Sequence, residues 1–148
     1  MSANNILPKA ETAGVRFIQE QDLGDIPKEN VTKGASARAD DSPLPNVVFS
    51  AEKAEAHIPN EGNWLVSAEV RIRSNADDDK TGALHEARCD RVIGPFFNGE
   101  IMHLLSSACA DFEVFQVVVN APQMRINHDR SWITVLPLEL ECIGRDCE

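Results

Sequence analysis

Residues Gly62–Lys80 read GNWLVSAEVRIRSNADDDK, and the fold turns on how that string is read. Trp64, Val66, Ala68, Val70 and Ile72 fall on one side of an unbroken alternation, with Leu65, Ser67, Glu69, Arg71 and Arg73 on the other. A period of two over that length describes a strand with one buried face and one wet face. The alternation stops in Ser74-Asn75-Ala76-Asp77-Asp78-Asp79, a polar turn that feeds a helical pattern. A strand that empties through an acidic turn into a helix is the pivot of an α+β domain.

Upstream, Asn46–His57 (NVVFSAEKAEAH) alternates at Val47, Phe49 and Ala51, and Pro59–Asn63 has turn chemistry. Together with the pivot these segments predict a long antiparallel hairpin. Downstream, Asp79 or Thr81 caps a helix over roughly Lys80–Ile93, where the preceding acids complement the positive end of the dipole. His85, Cys89, Val92, Ile93 and Phe96 share its apolar face, and Gly94-Pro95 ends it. A second helix begins near Asn98, with Ile101, Leu104, Leu105, Ala108 and Cys109 at helical spacing. Two strands then close the domain. Phe112–Asn120 is apolar on both faces at Val117-Val118-Val119, which predicts a central or covered position. Asn127–Arg130 reads as a turn, and Trp132–Ile143 alternates again, with Trp132, Leu136, Leu138, Leu140 and Cys142 inward. Pro137 cannot donate to a ladder, so that strand should have a free edge or a bulge there. The order β-β-α-α-β-β gives an α+β fold: a four-stranded, mainly antiparallel sheet with its helices packed on one face.

The N-terminal part is different in kind. Ala13, Val15, Phe17 and Ile18 allow a helix of about three turns, weakened by Gly14. Residues 24–45 are poor in large apolar groups and punctuated by Gly24, Pro27, Gly34, Pro43 and Pro45, the composition of a long loop or arm. The division read from sequence is 1–45, a helix and extended arm, and 46–148, the α+β domain.

A chain of 148 residues with 43% hydrophobic and 26% charged residues has enough apolar material for one real core. A net charge of −10, with no basic cluster, argues against phosphate-neutralising nucleic-acid binding and against an anionic membrane surface. The longest apolar runs are too short to span a bilayer, and MSANNILPKAE lacks the pattern of a signal peptide, so the reading is a soluble protein made in the cytoplasm. Cys89, Cys109, Cys142 and Cys147 lack short zinc spacings and read as free thiols, two of them packed as small apolar residues.

Chemistry is sparse. No dinucleotide, phosphate-loop, zinc-protease or nucleophile-elbow motif occurs. Asp77-Asp78-Asp79 lacks the alternate spacing of a calcium loop and reads as the solvated start of a helix. His85 and Cys89 lie four apart on one helix face, a spacing that could serve a metal or a thiol nucleophile, but the face they share is a core face. His103 lies beside the apolar stripe of the second helix, and His128 belongs to an exposed turn. No catalytic, cofactor-binding or metal residue is assigned, and a non-enzymatic protein is favoured over a small metal-binding or thiol enzyme. Acidic strand faces, a free edge and an arm suit assembly.

The string GNWLVSAEVRIRSNADDD, the following His85-Glu86-Ala87-Arg88 and the closing SWITVLPLELEC resemble the tail terminator (tail completion) proteins of long-tailed bacteriophages. The resemblance runs from Pro45 to Asp146 and includes Phe112-x-Val114-Phe115 at the start of the third strand. It implies a small α/β domain forming a hexameric ring that caps the tail tube and stops its growth. By the same resemblance the ring would meet the tail tube protein on one side and the head–tail connector or stopper on the other. DNA would pass through its centre without specific binding, and the subunit, assembled in the host cytoplasm, would reside in the virion. Another head–tail connector or neck protein is the alternative. The resemblance brings no catalytic residues.

Overall fold

The computed structural model describes residues 3–34, 43–58, 63–77, 79–109, 112–126 and 130–144. The pivot is strand β3 (Asn63–Asn75), with Val66, Val70 and Ile72 fully buried, Ala68 nearly so, and the residues between them half-buried. Trp64 belongs to the same face but lies at the strand's outer end, where it is only half-buried. Strand β2 (Asn46–Ile58) pairs antiparallel with β3 from Asn46↔Arg73 to Ile58↔Asn63, so the long hairpin is present. Its predicted turn, apart from Asn63, lies outside the described residues.

The α+β class and the one-sided helices agree with the sequence reading. The strand number differs. Among the described residues the sheet has six strands, ordered β1-β2-β3-β6-β4 with β5 also on β6. The additions are short: β1 (Val31–Lys33) runs parallel to β2, and β5 (Gln123–Ile126) pairs with β6. Three or four residues are too few to display an alternation. Part of the stretch read as a long loop or arm is a 3-10 turn (Lys28–Asn30) and an edge strand.

Strand β6 (Ser131–Gly144) lies inside the sheet, between β3 and β4 (Phe112–Val119). Pro137 does not mark a sheet edge. Its carbonyl accepts from the Asn120 amide at 3.0 Å, so its hydrogen-free nitrogen points to the same side, into the gap between β4 and β5. Strand β4 corrects a second expectation. Among the described residues it pairs only with β6 and forms the outer strand of the sheet path, with Val117 and Val119 half-exposed and Val118 exposed. The valine run here belongs to an outer strand, with Val117 and Val119 packed against the core on one face and Val118 exposed on the other.

Helix α1 (Ala3–Gln19) is longer than the sequence reading, at 17 residues. Ile6, Ala10, Ala13, Phe17 and Ile18 form its buried stripe, laid mainly over β2. Gly14 is where the helix approaches the sheet: a Cβ there would meet the Phe49 ring at 2.5 Å. The residue that costs helix propensity makes the packing possible. Helix α2 (Ala83–Ile93) buries His85, Cys89, Val92 and Ile93, as its periodicity implies. A 3-10 turn, Gly94–Phe97, follows, and its Phe96 packs edge-on against Phe17 with ring centroids 5.0 Å apart. Helix α3 (Ile101–Ser107) packs on β4 through Ile101 and Leu105. Residues of α1, all three long strands, α2, α3 and β4 share one apolar core.

Candidate functional site

The most distinctive sequence motif builds the junction between sheet and helix. Asp79 is buried at 7% exposure, and its carboxylate accepts from the amides of Leu84 (3.3 Å) and His85 (3.0 Å), so it caps α2 from ahead of the helix. Its carbonyl accepts from the Trp132 indole at 2.7 Å. Gly82, at φ 76°, sits under the Trp132 ring, where a Cβ would stand 3.4 Å from it. Asp77 is exposed and 3.9 Å from Arg130. Asp78 and His128 lie outside the described residues.

His85 and Cys89 do meet. The imidazole is fully buried, with Nδ1 2.8 Å from the Ser74 hydroxyl and Nε2 2.8 Å from that of Thr134. The Cys89 sulfur is 3.4 Å from the same Nε2. Hydroxyls can donate or accept, so either tautomer is satisfied. Burial pushes the His85 pKa down to about 4 and the Cys89 thiol up to about 11. A neutral imidazole beside a protonated thiol is the reverse of an activated nucleophile pair. The cluster fixes α2 against β3 and β6. His103 is exposed on α3 instead of packed. Among the described residues no group of three or more His, Cys, Asp or Glu side chains could hold a metal ion. Cys142, like Cys89, is a buried thiol that burial keeps protonated, its pKa about 12.

The features that stand out chemically are on the surface. At β4, Gln116 pairs with Glu141 and Val114 with Cys142, which leaves Phe115 as a bulge residue. The bulge turns Phe115 outward, where it is 44% exposed, and Val118 beyond it is 39% exposed. The start of this edge is covered, since the Val114 amide donates to Ser106 of α3 at 2.9 Å. Phe97 (64% exposed) and Met102 (40%) lie on the elements that lead into and form α3. Between α2 and the β4–β5 connection a groove of about 430 Å³ is lined by Cys89, Ile93, Phe97, Pro122 and Thr134, with Glu86 and Asp90 at its rim.

The helix-free face of the sheet carries charge. Glu69, Glu139 and Glu141 lie toward the hairpin tip, and Arg71 and Arg73 toward the other end. Burial, with Glu52 nearby, pushes the Glu69 pKa up. Among the described residues no helix is long and apolar enough to cross a membrane. The exposed apolar edge was the feature hardest to find from sequence, since the only signal for it was a valine run that equally describes a buried strand.

No protein-family model matches the sequence, and no curated protein matches it. The fold, however, is found among solved structures. A chain in the virion of a native gene transfer agent particle superposes with a TM-score of 0.56 at 10% identity, over 97% of this chain and 100% of that one.

Proposed function

We propose that the protein is a structural component of a phage-like virion, a tail terminator whose copies form a ring at the end of the tail tube. The observation that carries this reading is the end-to-end likeness to a virion chain, 97% of one length on 100% of the other. It is supported by the resemblance of residues 45–146 to tail terminators and by exposed apolar groups gathered along β4 and the elements beside it. A ring of copies is the occupant we assign to that side. The net charge of −10 suits a passage through which DNA moves without being held. The buried His85–Cys89 pair, a neutral imidazole beside a protonated thiol, supports a role without catalysis.

Two measurements test the reading. Light scattering of the purified chain across concentration, with negative-stain images, should show a ring with a central hole wide enough for duplex. A protein that stays monomeric at every concentration, and on added tail tubes, contradicts it. Loss of the gene from its phage should leave tubes of uncontrolled length. Tubes of normal length that fail to join heads would instead assign the chain to the connector.

A further inference from the structure

Strand β4 offers a backbone edge as well as an apolar one. Its register with β6 is unbroken from Gln116↔Glu141 to Val119↔Leu138, and the next residue, Asn120, donates its amide to the Pro137 carbonyl at 3.0 Å. Backbone groups alternate sides along a strand. Val118, like Asn120, therefore turns its N–H and C=O to β6, and Val117 and Val119 turn theirs outward. Among the described residues no strand pairs with that side of β4.

The side chains along this edge say what fits it. No charged residue occurs between Glu113 and Arg125. Gln116, Val118 and Asn120 are exposed on the helix-free face. Two copies of net charge −10 repel each other, so a contact between them belongs where charge is least. An antiparallel pair of β4 strands about a two-fold axis at Val118 sets Val118 on Val118. It also sets the Gln116 amide against that of Asn120, each able to donate and to accept.

Neither acids nor helices oppose that arrangement. Glu139 stands beside Val118 on β6. Three strand spacings, about 14 Å, would separate it from its counterpart, which exceeds the Debye length of about 8 Å at physiological salt. Helix α3 covers β4 at Val114, whose amide donates to Ser106 at 2.9 Å. The two-fold carries the second Val114 about 27 Å along the paired strands, so helices about 10–12 Å across stand clear of each other.

We propose that in the free protein β4 pairs antiparallel with β4 of a second copy about a two-fold axis at Val118, joining two sheets into one. The Val117 and Val119 backbone groups of each copy form the ladder, and the helices of both copies lie on the same face. This goes beyond the ring reading. The pair holds the edge that faces the ring, so it is a resting form that opens before a ring closes.

The test uses full-length Val118→Cys, Gln116→Cys and Asn120→Cys, all at exposed positions, under copper–phenanthroline oxidation. Wild type reports any background from the four native cysteines. Val118→Cys should form a disulfide-linked dimer by itself, since opposed residues in a pair of this kind have Cα atoms about 4.5 Å apart. Gln116→Cys and Asn120→Cys should each stay at background, their own counterparts being about 13 Å away, and should crosslink when mixed. Val118→Asp, which opposes two carboxylates, should weaken the pair by about tenfold or more without changing the melting temperature. Equal crosslinking of all three single variants, or none by Val118→Cys, overturns the pair. Rings that form with no Val118→Cys dimer at any concentration overturn the pair and spare the ring reading. Dimers that never become rings, even on added tail tubes, uphold the pair and overturn the ring.

Discussion

At one edge of the sheet β2 runs on beyond β1, with Glu52, Lys53 and Glu55 in water and the Glu11 carboxylate accepting from the Ala51 amide at 3.1 Å. Register shifts between Ala51 and Lys53 and between Ala56 and Ile58 twist that edge further. At the other edge β4 presents Phe115 and Val118, with a single bulge and one amide covered by Ser106. Charges, bulges and side-chain caps are the devices by which an edge refuses another chain. The first edge has all three over its free length, and the second lacks charge where it is most apolar. One sheet thus has one edge guarded against strand addition and another that is less guarded.

The comparison breaks most visibly at β4. Replacing Phe115 and Val118 together by Asp should weaken self-association by about a hundredfold, the size of a hot-spot loss, and leave melting within about 0.5 kcal/mol. Light scattering and calorimetry read the two. Matching substitutions to Asp at exposed Lys53 and Ala56 on the β2 edge should leave association alone.

The His85 cluster sharpens it next, because it holds α2 and so the wall of the groove. The folded pKa of about 4 lies below the ordinary 6.5, so as pH falls from 6.5 the unfolded chain takes up the proton first. Stability should therefore decline between about pH 6.5 and 4, by at most about 3 kcal/mol, and be unaffected by this group above pH 7. Denaturant melts of wild type and His85→Gln across that window should converge as pH falls.

Glu11→Ala removes the carboxylate from the Ala51 amide and should cost about 2 kcal/mol, seen as a lower urea midpoint. It should also open the guarded edge, so that the variant aggregates where the wild type does not. The smallest effect is at Asp25. Arg88 holds the Asp25 carboxyl below its usual range, but the carboxylate is 58% exposed and screened by solvent. Asp25→Ala should cost less than about 1 kcal/mol in the same melts.

Much of this was legible in the residues. The alternation of β3 identified its buried face, and the helical spacing of His85, Cys89, Val92 and Ile93 identified theirs. What escaped has a physical cause in each case. Strand β1 is three residues long and carries no period. Gly14 reads as a helix weakness until Phe49 is seen against it. Pro137 needs the Asn120 amide beside it before its vacant nitrogen can be placed. The valine run of β4 gave an apolar signal without a direction, since local pattern reports apolarity and not what covers it.

The contrast between the edges can be read directly by amide hydrogen exchange on assembled and monomeric protein. Amides of Phe115–Val119 should slow by about tenfold or more on assembly, while those of Glu52–Ala56 keep their monomer rates. Protection at Glu52–Ala56 with none at β4 would mean that the open edge had been assigned to the wrong side of the sheet.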